Sequence, residues 1–356
     1  MRALEIHISI LEGISGLLAC TSAMQTVLVA AALSFAPEGA LLQSRAPDEV
    51  IVIDDCSADD SVEILRSYEG RFPTLRVLVN ERNRGVLANA ETLLGLARGR
   101  YFYAAAADDM ILPGFFEKSL EILERFPEAG LCSTRSLIVG QDGCAVASPF
   151  PSWQPFQRKS EPYFVNPIEA RRQLFRQGSW MQGNTVIFRR QALIAAGGFL
   201  PRLGSYTDGF IHEVLALRHG ACFIPESLAA WRKLPESYSA STGKNPAAMR
   251  AIYDEALRCM AEDYRGLFSA SYIYRWRNRW NGGALLALHR AKEAEFKAAF
   301  RQFLPEDSRA SWFARKLASL GIFFSRVFIC VTAATLLWFD LPMLLCRRIG
   351  RLWYSN

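Results

Sequence analysis

Residues 99–116 read GRYFYAAAADDMILPGFF, and this stretch decides how the fold is interpreted. Aromatic and small apolar residues from Tyr101 to Ala107 are typical of a buried central strand. Two adjacent carboxylates, Asp108 and Asp109, follow at the predicted end of that strand. Because like charges at the edge of an apolar strand repel each other, the pattern predicts a cation between or over them.

A divalent cation suits such a pair of carboxylates. Cations of the magnesium type take oxygen ligands and keep other positions for water and substrate phosphates, so one or two protein carboxylates suffice. The pair therefore predicts a Mg or Mn site that meets a phosphate-bearing substrate. The alternative is that Asp108 caps the helix that begins near Pro113 and that Asp109 is solvated.

The first half of the chain alternates between strand and helix patterns. Strands are predicted near residues 14–22, within 48–55, at 75–79 and at 101–107, and helices at 24–35, 59–68 and 86–97. Alternation with short links is typical of α/β proteins, in which ligands bind beyond the carboxyl ends of the strands. The charged residues predicted at that edge are Asp54, Asp55, Arg84, Asp108 and Asp109.

Composition limits the class of protein. The chain has 356 residues, about half of them apolar, and a formal net charge of +6 without a long Lys/Arg run, so nucleic acid is not predicted as a partner. Its eight cysteines form no CxxC pair and are interpreted as reduced residues of a cytosolic protein. No charged residue occurs from Gly13 to Pro37, and we favour a buried strand and helix there over a signal peptide.

Three segments carry a family resemblance. They are VIVIDDCSADDS at residues 50–61, NRGVLANA at residues 83–90 and AADDMILPGF at residues 106–115. In this order and spacing they resemble the nucleotide-binding half of a family 2 glycosyltransferase with the glycosyltransferase A-type fold. The resemblance covers roughly residues 14–235.

The resemblance implies an α/β fold with a Rossmann-like, mostly parallel central sheet flanked by helices. The predicted domain comprises residues 1–235, with a nucleotide-sugar half at about 14–135 and an acceptor half at about 136–235. A helical region at 236–310 and an apolar, basic, membrane-associating segment at 311–356 would follow as a C-terminal appendage.

The resemblance also implies roles for individual residues. Either Asp54 or Asp55 would contact the base or ribose of the donor, and Arg84 would lie near the base and phosphates. Asp108 and Asp109 would bind the metal that bridges the diphosphate. The chain departs from the family pattern at Ala106, where an aspartate is usual, and in having TSAMQT at residues 21–26 where Pro-x-Tyr-Asn is expected.

The acceptor side is predicted from Gly197-Gly198-Phe199, followed by Asp208 and a helix at 211–219. This segment resembles the acceptor region of the same family, which implies that Asp208 is the general base. The alternative for Asp208 is an N-cap of the helix. Glu213 is the reserve base, or else it pairs with Arg218.

Neighbouring positively ionisable residues are given less specific predictions. His212 and His219 are predicted on the surface of the same helix. Arg232 and Lys233 would either reach the diphosphate or lie in solvent. The chain lacks the Gln-x-x-Arg-Trp motif of processive synthases, so a single transfer is expected.

The C-terminal part combines helical and apolar patterns. Residues 247–303 predict two or more helices with a break at 281–283. Residues 327–346 are long enough to span a bilayer and are followed by three arginines. A membrane span, an interfacial helix and a buried helical pair remain open.

Together the patterns and the resemblance predict a metal-dependent, non-processive glycosyltransferase at the cytoplasmic face of the inner membrane, and the resemblance alone implies that it is inverting. Its donor would be a nucleotide-diphosphate sugar, and its acceptor a hydroxyl of a glycan or of a lipid-linked molecule. The alternative is a catalytically impaired relative that binds glycans or acts as a scaffold.

Overall fold

The computed structural model describes residues 28–29, 43–106, 110–140, 160–232, 234, 237–243 and 245–288. Ten strands occur in this part of the chain. They are β1 (Leu28–Val29), β2 (Val50–Asp54), β3 (Leu75–Val79), β4 (Tyr101–Tyr103), β5 (Ala105–Ala106), β6 (Met110–Ile111), β7 (Leu131–Val139), β8 (Tyr163–Val165), β9 (Val186–Arg189) and β10 (Ala221–Arg232).

Nine α-helices flank these strands in the described residues. They are α1 (Ser61–Glu69), α2 (Val86–Leu96), α3 (Phe115–Arg125), α4 (Pro167–Gln177), α5 (Arg190–Ala195), α6 (Thr207–His219), α7 (Tyr238–Gly243), α8 (Pro246–Arg258) and α9 (Ala270–Leu288). Short 3₁₀ helices occur at Gly183–Thr185 and Pro201–Tyr206, and a π-helical turn follows α8 at Cys259–Asp263.

The strands form two sheets with mixed pairing. The first has the order β3-β2-β1-β5, and the second has the order β4-β9-β7-β10-β6, with β8 paired to β10. The α/β class with helices around a central sheet is confirmed. Among the described strand pairs only β2–β3 and β7–β10 are parallel, so the sheet is mixed where the sequence predicted a mostly parallel one.

The local patterns between residues 48 and 97 fold as predicted, and the strand predicted near residues 14–22 lies outside the described residues. Strand β2 is buried at every position, as expected for a strand covered by helices on both faces. Helix α1 turns Leu65 toward the core, and α2 begins directly after Gly85, whose φ of 82° is easily adopted by glycine.

The stretch at residues 101–107 differs from its prediction. Instead of one continuous strand, β4 pairs antiparallel with β9 in the second sheet, and β5 pairs antiparallel with β1 in the first. The chain therefore crosses from one sheet to the other at Ala104. Residues 28–29 are strand rather than the predicted helix, because they pair with both β2 and β5.

The C-terminal helices share a core with the α/β part. One hydrophobic cluster includes Phe188 of β9, Phe210 of α6, Tyr253 of α8 and Trp276 of α9. The predicted break at residues 281–283 is wrong, since α9 continues through them to Leu288.

None of the described helices combines the length and the apolar character that crossing a bilayer requires. The segment predicted to associate with a membrane, residues 311–356, lies outside the described residues.

Candidate functional site

The carboxyl ends of β2 and β5 lie at one edge of the first sheet. Val29 of β1 pairs with Val52 of β2 on one side and with Ala105 of β5 on the other. Continuing this register by one residue brings Ile53 level with Ala106. Asp54 is the last residue of β2, so it lies at the same edge of the sheet as the end of β5.

Asp55 is held by hydrogen bonds from the loop after β3. Its Oδ1 accepts from the Arg84 backbone N–H and from Asn80 Nδ2, both at 2.8 Å, and its Oδ2 accepts from the Gly85 N–H at 2.8 Å. Asn80 Nδ2 also donates to Asn89 Oδ1 at 2.9 Å. Both carboxylate oxygens thus serve to fix the loop that carries Arg84.

These donors determine the charge state of Asp55. Burial of a side chain that is 1% exposed would raise its pKa. The backbone N–H of Arg84, the amides of Asn80 and Asn89, and the N–H of Gly85 outweigh burial and lower the pKa of this carboxyl. Asp55 is a fixed anion at neutral pH.

Asp54 has capacity left for a ligand. Its side chain is fully buried, and its Oδ2 accepts from the Ser57 N–H at 2.9 Å. Within the described residues, Asp54 Oδ1 and the Ser57 hydroxyl are buried without a hydrogen-bond partner. Buried polar atoms normally have partners, so this pair fits a ligand with N–H or O–H groups. Cys56 between them has a φ of 68°, which is unusual outside glycine and asparagine.

The structure describes the predicted cation Arg84 but not the two predicted metal ligands. Arg84 is exposed, and its side chain makes no ion pair with any described residue. Asp108 and Asp109 lie outside the described residues. Among the residues that are described, no group of three or more His, Cys, Asp or Glu side chains is placed to hold a metal ion.

A tight turn connects this edge to the acceptor side. The 3₁₀ turn Gly183–Thr185 packs against β5 and β6, the two strands that flank residues 107–109. The Asn184 carbonyl accepts from the Tyr103 hydroxyl at 3.1 Å, and Asn184 Nδ2 donates to Ser136 Oγ at 3.2 Å. A Cβ on Gly183 would lie 2.6 Å from Asp208 Oδ2, so the absence of a side chain lets Asp208 approach the turn.

Asp208 lies in the first turn of α6 and is half-buried. Tyr206 is the N-cap residue, so the prediction that Asp208 might instead cap the helix is wrong. Its Oδ1 accepts from the adjacent Gly209 N–H at 2.7 Å. Burial raises the pKa of Asp208, and the hydrogen bond from Gly209 offsets this only in part. The carboxylate is thus a stronger proton acceptor than an ordinary aspartate.

Other predictions for α6 are corrected by its packing. Glu213 is 3% exposed and accepts from the Tyr272 hydroxyl at 2.7 Å, so it does not pair with Arg218. Burial raises the pKa of Glu213 to about 7, although Tyr272, Tyr206 and Arg279 lower it in part. His212 is 1% exposed rather than on the surface, and burial lowers its pKa to about 3.

The predicted exposure of two further side chains, His219 and Arg232, is also corrected. His219 ends α6 and is half-buried beside Gly130. Arg232 is 4% exposed, which rules out its solvated alternative. Lys233 lies outside the described residues.

Sequence reasoning missed four residues that shape the site. Asn80 donates to the Asp55 carboxylate, Asn89 accepts from Asn80 and orients it, Ser57 adds a hydroxyl beside Asp54, and Gly183 makes room for Asp208. Asn89 lies within the quoted NRGVLANA segment, and an asparagine among apolar helix positions was a usable signal. Gly183 had no comparable signal, since its role depends on a side chain 25 positions further along the chain.

Residues 29–194 match the family model described as Glycosyl transferase family 2, which confirms the resemblance predicted from the three segments. An uncharacterized protein from Mycobacterium tuberculosis is 30% identical over 191 residues, 52% of this chain and 50% of that protein. Succinoglycan biosynthesis protein ExoO from Rhizobium meliloti is 34% identical over 93 residues, 26% of this chain and 25% of that protein. The matched region spans half or less of these relatives.

The fold is similar to that of a solved glycosyltransferase. The crystal structure of TarS 1-349 from S. aureus in complex with UDP aligns with a TM-score of 0.52 and 17% identity. The alignment covers 83% of this chain and 82% of that chain. At this identity the likeness concerns the fold, and it confirms the predicted glycosyltransferase A-type architecture.

Proposed function

We propose that this protein is a glycosyltransferase that moves a sugar from a nucleotide-diphosphate donor to a hydroxyl acceptor. The observation that carries the proposal is the placement of Asp208. Its carboxylate, with a raised pKa, lies against the Gly183 turn, and that turn packs on β5, whose carboxyl end shares a sheet edge with Asp54. This arrangement supports a proton acceptor close to a donor-binding edge.

Asp54 is proposed to contact the donor, and Asp55 to position the loop. Asp54 Oδ1 and the Ser57 hydroxyl are free to bond a base N–H or a ribose hydroxyl. Asp55 has its oxygens occupied by Asn80, Arg84 and Gly85, which fixes the backbone from which the Arg84 guanidinium reaches toward the phosphates.

The proposed reaction is a single displacement. Asp208 accepts the proton of the acceptor hydroxyl while that oxygen forms a bond to the anomeric carbon of the sugar. The bond from the anomeric carbon to the diphosphate oxygen breaks, and its electron pair leaves with the nucleoside diphosphate. Attack from the opposite face inverts the anomeric configuration.

Arg84 is proposed to stabilise the charge that grows on the leaving diphosphate. Asp108 and Asp109 are the residues that would hold a Mg or Mn ion, which when bound would neutralise the diphosphate further.

The acceptor is proposed to be a hydroxyl of a glycan or of a lipid-linked molecule, used in polysaccharide biosynthesis. Residues 311–356 combine apolar stretches with terminal arginines, which supports work at the cytoplasmic face of the inner membrane. Transfer of one sugar at a time is proposed because the chain lacks Gln-x-x-Arg-Trp.

The test is release of nucleoside diphosphate from a panel of nucleotide sugars, with Mg, Mn or a chelator. We expect turnover of at least one donor and a rise in melting temperature with it. Asp254→Asn, on the exposed ion pair with Arg250, is the control variant. If no donor is turned over and none raises the melting temperature, the catalytic proposal fails and the impaired, glycan-binding alternative stands. Activity that persists in the presence of a chelator would contradict only the proposed metal dependence.

A further inference from the structure

Helix α4 presents an unusual face to solvent. Its buried side consists of Ala170, Gln173 and Leu174. The opposite side carries residues at the i, i+3, i+4, i+7 and i+8 positions of one helical face, which we name the arginine face: Ile168, Arg171, Arg172, Phe175 and Arg176. Ile168 is 66% exposed, Phe175 is half-buried and the three arginines are exposed.

The charges of the arginine face are not neutralised within the part of the chain that the structure describes. No ion pair there involves Arg171, Arg172 or Arg176. The one acidic residue of α4, Glu169, instead accepts from the Asn166 N–H in a capping box.

Helix α8 shows the contrasting case. Its Arg250 pairs with Asp254 at 2.8 Å, and its Arg258 pairs with Glu255 at 2.7 Å and with Asp263 at 3.1 Å. Exposed arginines of this protein are therefore paired with acids on one helix and left without them on another. Exposed arginines without an ion pair to any described residue also occur singly elsewhere, but on α4 three of them share one helical face with the exposed Ile168, and this clustering favours contact with an external anion.

Helix α9 contacts the end of α4 through two arginines. The Arg275 guanidinium lies 4.9 Å from the Phe175 ring centroid and donates to the Arg176 carbonyl at 3.1 Å. Arg279 donates to the carbonyls at the end of α4, at 2.7 Å to that of Arg176. Helix α9 contains no acidic residue and precedes the apolar C-terminal sequence.

The combination of apolar and cationic side chains identifies the kind of anion. A water-soluble polyanion would pair with the guanidinium groups but would leave Ile168 in water. At a bilayer surface, Ile168 enters the boundary between headgroups and acyl chains, and the flanking guanidinium groups bond to lipid phosphates. Each arginine near an anionic surface adds an electrostatic attraction to the membrane.

We propose that the arginine face of α4 rests on an anionic lipid bilayer. The chain continues from Arg176 to Gly183, which lies against Asp208, and seven residues reach at most about 25 Å. The bilayer surface is then close to the proposed base. This consequence rests on the proposed function, and it favours an acceptor whose hydroxyl is linked to a lipid.

The experiment measures binding of the full chain to vesicles of phosphatidylcholine alone and of phosphatidylcholine mixed with phosphatidylglycerol. The test variant combines Arg171→Gln, Arg172→Gln and Arg176→Gln. The control combines Arg76→Gln, Arg98→Gln and Arg125→Gln, which removes the same charge from exposed positions elsewhere. We expect the preference for anionic vesicles to fall at least about tenfold in the test variant and to change less than about twofold in the control.

Two further measurements separate the lipid from other anions. Ile168→Ser should weaken binding to anionic vesicles and leave binding of dextran sulfate unchanged. The proposal is overturned if the test variant keeps the vesicle preference of the control, or if Ile168→Ser has no effect on vesicles. The vesicle experiment contains no nucleotide sugar, so its result does not depend on whether the protein turns over a donor. Circular dichroism and melting temperature check that every variant is folded.

Discussion

Asp55 and Asp208 carry the same functional group, yet their surroundings shift its pKa in opposite directions. Asp55 is the more buried of the two, and its pKa is lowered by backbone N–H groups and side-chain amides that converge on both oxygens. Asp208 receives one N–H from Gly209, so desolvation by burial prevails and its pKa is raised. The donors on both oxygens of Asp55 outweigh its desolvation, and the single donor on Asp208 does not.

The difference separates two tasks. A carboxylate whose lone pairs are occupied by the protein holds a loop but has no capacity to accept a proton from a substrate. A carboxylate with few donors and a raised pKa is suited to proton transfer. The same reasoning assigns Asp55 to structure and Asp208 to chemistry.

The strongest test of this separation is Asp208→Asn. The amide keeps the shape of the side chain but cannot accept the acceptor proton, so we expect kcat to fall about a thousandfold. Donor binding and melting temperature should change little, because Asp208 makes one short-range hydrogen bond within the protein. Transfer kinetics with a donor titration, compared with Asp254→Asn, provide the measurement. Activity within tenfold of the unmodified enzyme would exclude Asp208 as the base.

Asp55→Ala tests the other half of the comparison. The substitution leaves the N–H groups of Arg84 and Gly85 and the Asn80 amide without their acceptor, and we expect the free energy of unfolding to fall by about 3 kcal/mol. Urea denaturation at neutral pH measures this loss. The matched control is Asp60→Ala at an exposed position whose side chain does not cap α1, where the change should stay within about 0.5 kcal/mol. An equal loss of stability in both variants would show that the Asp55 carboxylate does not stabilise the loop after β3.

His212 extends the comparison to a base, whose protonated form is the charged one. It is 1% exposed, its ring lies 5.4 Å from that of Phe188, and among the described residues neither nitrogen has a hydrogen-bond partner. Because its folded pKa is about 3, the unfolded chain binds the proton first as pH falls below about 6.5, and stability is lost through that range.

His212→Leu should therefore stabilise the protein. We expect a gain of about 1 kcal/mol at pH 7 from removing unpaired polar atoms, and about 2 kcal/mol more at pH 5. Urea denaturation at both pH values gives the result, with the half-buried His219→Leu expected to show a smaller pH-dependent gain. A loss of stability at both pH values would mean that the imidazole makes a needed contact.

The elements that sequence could predict are those that local patterns determine. The continuous apolar run of β2 and the helical spacing of α1 and α2 locate these elements to within about two residues. The division at Ala104 could not be predicted, because it depends on pairing with β1 and β9, which lie far away in the chain. The apolar pattern is the same before and after Ala104, so only the long-range strand pairing reveals where the chain changes sheets.

Site residues followed the same rule. Position at the end of β2 predicted that Asp54 or Asp55 would matter, but only the loop after β3 distinguishes the two side chains, by bonding to the Asp55 carboxylate and not to the Asp54 carboxylate. The buried state of His212 and Glu213 was missed because α6 is covered on more than one side, by the sheet and by α9. A helix with that packing lacks the polar face on which surface predictions depend.

Glu213 gives a further test of the comparison, because the sign of its pH dependence is opposite to that of His212. Its folded pKa is about 7, so the folded chain holds the proton that the unfolded chain releases near pH 4.5. Stability is therefore fully present below about pH 4.5 and is lost as pH rises toward 7. Glu213→Gln, which keeps an acceptor for Tyr272, should gain about 2.5 kcal/mol of stability relative to the unmodified protein between pH 5 and pH 8. The difference between the two proteins removes the His212 contribution common to both, so a difference that does not change with pH would show that this carboxyl is ionised throughout.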